Sequence, residues 1–144
     1  MRKKVFVIGF GLILIISALS GCQDQDNQIE AITFEGITLV SNVVELVNAS
    51  LDFHTHYEGG YEIIDSIDVQ YLFHNIAGRD ITVTVTVEFY DENDNLLEIG
   101  GPKHIRLLEN YTEHGVMGAN IISYDGEEVY RVDHVRIVAV EQSR

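Results

Sequence analysis

An all-β sandwich of about seven or eight short strands is the fold this sequence predicts, on three observations. Apolar and polar residues alternate with period two through the middle of the chain. β-Branched residues abound, and beyond the N-terminus no stretch sustains the apolar spacing of three and four that a helix needs. Turn-forming clusters punctuate the chain at short intervals.

Taken in order, Ile37 to Val40 reads as a first strand, and Val43 to Phe53 as one or two more. A short helical turn around Ser41 to Leu46 competes with that reading. Ile67, Val69, Tyr71 and Phe73 then alternate with Asp68, Gln70, Leu72 and His74. After a turn from Asn75 to Asp80, Ile81, Val83, Val85, Val87 and Phe89 alternate with Thr82, Thr84, Thr86, Glu88 and Tyr90. Period two sets a β-branched inner face against a mostly polar outer one. Such a strand pair cannot bury its apolar face alone, so a second sheet must cover it. Asp91 to Asn95 reverses the chain into Leu96 to Ile99, and Gly100-Gly101-Pro102 is expected to break that strand. Ile105 to Leu108 follows, then a turn at Glu109-Asn110-Tyr111, an extended run from Thr112 to Ser123 and a turn from Tyr124 to Glu128. Tyr130 to Glu141 closes the series, with Val135 and Ile137 to Val140 at its centre.

One stretch of this pattern resembles the FxLYD-type domain, a small immunoglobulin-like sandwich of bacterial and archaeal exported proteins. The resemblance rests on His74-Asn75, the Thr/Val strand, Val87-Glu88-Phe89-Tyr90-Asp91, Asn95-Leu96-Leu97 and Ile105-Arg106-Leu107-Leu108, and covers residues 65–141. Val87 stands where the family has Phe, and Phe89 where it has Leu. The resemblance implies an immunoglobulin-like sandwich. It implies no catalytic residues, because the family has no general ones.

The N-terminus follows a different logic. Arg2, Lys3 and Lys4 precede an unbroken apolar run from Val5 to Ala18, and Leu19-Ser20-Gly21-Cys22 follows. The run suits the core of a signal peptide and falls short of the roughly 20 residues that span a bilayer. The cationic start holds that end in the cytoplasm. Leu19, Ser20, Gly21 and Cys22 resemble the lipobox of bacterial lipoproteins. The resemblance implies cleavage before Cys22 and a diacylglyceryl group on its thiol, so that the membrane is a partner through that lipid. Residues 1–21 then form the signal peptide, 22–30 the lipidated cysteine with a polar tether, and 31–144 the sandwich domain. The domain would face away from the cytoplasm, at the cell membrane or, in a two-membrane envelope, at the outer membrane. Gln23 rather than Asp after the cysteine resembles the outer-membrane pattern.

Of 144 residues, 9 are Lys or Arg and 23 are Asp or Glu. Removing the 21 leader residues and their three cations leaves 123 residues with a formal charge of −17. That length suits one domain with one core. The acidity excludes nucleic acid, which requires a basic face. It also disfavours a body lying flat on anionic lipid. Cys22 is the sole cysteine, so the domain holds by packing without a disulfide.

Two clusters invite a metal. His54 and His56, at i and i+2, share a strand face with Asp52 and Glu58 and could present two nitrogens to zinc. No further His or Cys pair lies near them in sequence, and solvent-facing histidines beside the Gly59-Gly60 turn are the simpler reading. Asp91, Asn93 and Asn95 match the first ligand spacing of an EF-hand loop, but Leu96 stands where that loop needs glycine and Pro102 where it needs glutamate. A hairpin turn is the expected role of Asp91 to Asn95. No cofactor is expected. The chain has no Gly-x-Ser-x-Gly, His-Glu-x-x-His or phosphate-cradling glycine loop, and a non-enzyme is expected. Asn48-Ala49-Ser50 and Asn110-Tyr111-Thr112 are formal glycosylation sequons, relevant only in a cell that glycosylates them.

Two functions remain in play. One is an envelope interaction module for a protein or polymer. Tyr57, Tyr61, Tyr111, Tyr124 and Tyr130 lie in or beside expected loops, and clustering of exposed tyrosines at one end would favour it. The alternative is a divalent-cation-binding lipoprotein that uses His54, His56 and nearby carboxylates.

Overall fold

The computed structural model describes residues 34–114 and 120–143. The leader, Cys22, the tether, residues 115–119 and residue 144 lie outside the described residues. Seven strands form two sheets. They are β1 (Ile37–Val40), β2 (Val44–Glu58), β3 (Tyr61–Asn75), β4 (Ile81–Tyr90), β5 (Leu96–Leu107), β6 (Ile121–Tyr124) and β7 (His134–Glu141). One sheet has the order β1-β7-β4-β5 and the other β2-β3-β6. β1 runs parallel to β7, and every other pairing is antiparallel. The fold is the all-β sandwich that the alternation predicts.

The core lies between the sheets. Val83, Val85, Val87 and Phe89 of β4 are fully buried, as are Ile67, Val69, Tyr71 and Phe73 of β3 and Val135 and Ile137 of β7. Thr82, Thr84, Thr86 and Glu88 are half-buried on the outer face of the first sheet. Tyr71 and Phe73 pack at 5.0 Å between ring centres, and Phe89 meets Tyr124 of the facing sheet at 5.2 Å. Each large buried side chain contributes about 1.5–3 kcal/mol relative to exposure, and aromatic pairs add to that through their edge and face charges.

Several elements differ from the sequence-based expectation. The final strand starts at His134 rather than Tyr130, after a 3₁₀ turn (Val129–Arg131), and of the described residues in the run from Thr112 only Ile121 onward is strand, which takes in Tyr124. No helical turn forms at Ser41 to Leu46. The Ser41 Oγ accepts hydrogen bonds from the Val43 and Val44 amides, each 3.3 Å, and β2 starts there directly. Gly100-Gly101-Pro102 does not break its strand, and β5 runs through it. β5 is an edge strand, so the missing N–H of Pro102 is tolerated. The glycines admit close neighbours. A Cβ on Gly101 would lie 2.9 Å from the Val85 carbonyl, and one on Gly100 would lie 2.6 Å from Ile122 Cγ2. Finally, β2 and β3 extend far past Phe53 and before Ile67, in a hairpin that runs beyond the stretch of β3 paired with β6.

Two buried polar side chains fasten the ends of the sandwich. Asn75, fully buried at the end of β3, donates to the carbonyls of Arg79 (2.8 Å) and Leu108 (2.7 Å) and accepts from the Ala77 amide (2.9 Å). It ties the β3–β4 turn to the end of β5. At the opposite end, Asp91 Oδ1 accepts from the amides of Asn93 and Asn95, each 2.9 Å, and Arg131 Nη2 donates to its Oδ2 at 2.7 Å. Asp94 takes the left-handed conformation, with φ 59°, that the turn requires.

Candidate functional site

The distal part of the β2–β3 hairpin is the most exposed feature of the described chain. No residue from His54 to Ser66 is buried. Glu58 pairs with Tyr61, leaving Gly59 and Gly60 as a two-residue turn with φ of 59° and 89°. Two successive positive φ values match the twist of the flanking strands, and glycine adopts them without steric cost. Tyr57 and Tyr61 flank that turn with 76% and 77% of their surface exposed.

Polar pairs across the strands hold the hairpin. His54 Nε2 lies 2.9 Å from Asp68 Oδ2, and Ser123 of β6 donates to Asp68 Oδ1 at 2.5 Å. Thr55 donates to Glu62 at 2.8 Å. His56 Nδ1 lies 2.7 Å from Asp65 Oδ1, and its Nε2 lies 3.8 Å from Glu58. A bulge sets this pattern. His54 pairs with Ser66 and Thr55 with Ile64, so Asp65 is the extra residue. The hydrogen bond and charge of Asp65, reinforced by Glu58, raise His56 above the ordinary histidine value. Asp68 is held below the usual carboxylate range, first by the Ser123 hydroxyl and then by His54.

These partners decide the metal-like motifs. His54 and His56 each face a different carboxylate of β3 and do not converge on a shared position. Among the described residues, no three His, Cys, Asp or Glu side chains are placed to hold a metal ion. The turn from Asp91 to Asn95 is a hairpin connection. Asp91 is buried, and its carboxylate is engaged by the Asn95 amide and side chain, the Asn93 amide and Arg131. Those bonds, the Asn95 backbone bond foremost, lower its pKa to about 2.

The five loop tyrosines separate. Tyr57 and Tyr61 lie at the hairpin tip. Tyr130, 66% exposed, follows β6 in a single 3₁₀ turn (Val129–Arg131). It lines a groove of about 520 Å³ between the hairpin strand Glu62 to Asp65 and the loop from Asp125 to Tyr130. Tyr124 is buried in the core, and Tyr111 is at the far end, beside Asn75. Three of the five are thus associated with the hairpin end.

Sequence spacing did not reveal a second cluster, on the outer face of the first sheet. Tyr90 stacks on His134 at 5.4 Å, Arg136 lies 5.0 Å above its ring, and its hydroxyl donates to Glu88 at 2.6 Å. The Glu88 bond raises the Tyr90 pKa. The stack depends on β4 lying beside β7, and no local motif records that pairing.

No known family profile, curated protein or solved structure matches the chain. Among the described residues, no helix is long and apolar enough to cross a membrane. Leu19, Ser20, Gly21 and Cys22 lie outside the described residues.

Proposed function

We propose that this chain is a lipid-anchored cell-envelope protein, held to the membrane by a diacylglyceryl group on Cys22, whose FxLYD-like sandwich is a non-catalytic interaction module. The observation that carries the reading is the exposure of Tyr57 and Tyr61, one on each face of the hairpin tip, with exposed Tyr130 on the loop that lines a groove with the hairpin strand. Tyrosine offers a large amphipathic contact surface at low entropic cost, and it is enriched at binding hot spots. A rigid sandwich carrying a projecting ribbon suits a protein or polymer partner. The separate pairing of His54 with Asp68 and of His56 with Asp65 favours this reading over a divalent-cation function.

The test is in-cell cross-linking followed by mass spectrometry of what is captured, and of Cys22 itself. The expected result is diacylglycerol on Cys22 and one dominant envelope partner. That partner should be lost in Cys22→Ala and in Tyr57→Ala/Tyr61→Ala. An unmodified Cys22 would sink the anchor, and capture unaffected by the tyrosine pair would sink the hairpin as the contact surface.

A further inference from the structure

The groove beside the hairpin has a composition that specifies its occupant more narrowly. Tyr130 offers exposed carbon, with half-buried Ile64 on the hairpin wall and buried Val129 beside the loop, while the Ile63 side chain shares the opposite face with His56 and Asp65. Among the described residues, Glu62, Asp65, Asp125 and Glu127 line the same groove, and no Lys or Arg does. The four described arginines are engaged elsewhere. Arg79 pairs with Glu141, Arg106 with Asp80, Arg131 with Asp91 and Glu128, and Arg136 with Glu88. An apolar groove rimmed by one sign of charge attracts a chain of the opposite sign and positions it through its apolar contacts. The exposed Tyr130 ring also offers a face to a cation.

The geometry points to a docking groove for an extended segment of a partner protein in which Lys or Arg side chains alternate with aliphatic ones. This inference names the partner class for the interaction-module reading and rests on it. The aliphatic side chains would lie on Ile64, Val129 and Tyr130, and the cations would meet Glu62, Asp125 and Glu127. The alternation follows from the extended form of a segment seated along the hairpin wall, whose successive side chains point to opposite faces.

The experiment measures fluorescence anisotropy of a short labelled peptide of alternating lysine and valine against the full chain in non-ionic micelles. Empty micelles set the baseline, and the counterpart peptide of glutamate and valine is the control. Saturable binding of the lysine peptide alone is expected. Asp125→Asn/Glu127→Gln should weaken it by about tenfold at low salt, through loss of complementary rim charge. Tyr130→Ala should weaken it too. Glu45→Gln/Glu109→Gln removes the same charge away from the groove and should leave binding unchanged. Equal weakening by the two double variants would mean attraction to net charge alone and would overturn the groove. So would absence of saturable binding, or equal binding of the glutamate peptide. An envelope partner whose cross-links avoid residues 62–65 and 125–130 would overturn the groove while leaving the interaction module standing. Peptide binding with an unmodified Cys22 would keep the groove and remove the envelope anchor.

Discussion

The β2–β3 pair obeys different rules along its length. From Val44 to Ala49 and from Ile67 to Asn75, the inner face is covered by the other sheet, and side chains such as Leu46, Ile67, Val69 and Phe73 are buried. From His54 to Ser66 the same two strands continue with no buried residue. The proximal part is held by desolvated carbon. The distal part is held by backbone pairing, a Gly-Gly turn and a ladder of histidine–carboxylate and threonine–glutamate contacts. A bare two-stranded ribbon is marginal in water, so the distal part opens at lower free energy than the body. One continuous pair of strands thus joins a stable scaffold to a surface that can adapt to a partner.

The sharpest way to break this comparison is to truncate one phenylalanine in each region. Phe89→Ala empties a fully buried site against Tyr124 and should cost about 3–5 kcal/mol. Phe53→Ala, at a side chain 46% exposed near the hairpin, should cost well under about 1 kcal/mol. Denaturant melts read both. Similar losses would mean that the hairpin is as deeply stabilised as the core. Asn75→Ala comes next. It leaves the Leu108 carbonyl and the Ala77 amide without their buried partner, at about 2–3 kcal/mol. The midpoint should fall with the denaturant slope unchanged.

The acid limb belongs to the body. Bonds to Asn95, Asn93 and Arg131 hold the folded-state pKa of Asp91 at about 2, below the ordinary aspartate value of about 3.9. The stability it contributes is therefore full above the unfolded value and is lost as pH falls through the folded one. Melts between pH 4 and pH 2 (roughly the window between those two values) should show a decline that is shallower in Asp91→Asn. An identical decline in the variant would assign the acid limb to other carboxylates. Smaller again is Gly60→Ala. At φ 89° an alanine is strained, at about 1 kcal/mol. No atom lies within 4 Å of the added Cβ, so the effect is backbone strain and not crowding. Faster amide exchange should appear from His54 to Ser66 and leave β4 and β7 protected.

What the sequence made legible follows the same division. Strict alternation from Ile81 to Phe89 identified a strand with a buried face, and burial follows it residue by residue. The Asp91 to Asn95 turn was legible because Asp and Asn satisfy their own backbone. Of the distal hairpin, the Gly59-Gly60 turn and the strand through His54 and His56 were legible, but the return strand from Tyr61 to Ser66 was not, because a ribbon exposed on both faces has no reason to alternate. Tyr61 therefore gave little sign that it begins a strand of 15 residues. Gly100-Gly101-Pro102 was misread for a related reason. The usual strand breakers fit an edge strand that approaches Val85 and Ile122 closely. The partners of His54 and His56 were hidden by the bulge at Asp65, which changes the pairing register in a way that spacing along one strand cannot show.

The smallest effect separates the two regions by pH. His56 is raised above 6.5 by Asp65, with help from Glu58. A raised histidine contributes stability that is fully present below its unfolded value and lost as pH rises through its folded one. The pair is exposed, so the contribution is small and screened by salt. Raising pH from about 6 to about 8 spans the ordinary histidine range. Over that window amide exchange should quicken around His56 and Asp65, while Phe89 and its neighbours keep their protection. His56→Gln should remove the pH dependence and keep the fold. If exchange around Asp65 were equally pH-dependent in His56→Gln, the loosening would lie outside the His56–Asp65 pair.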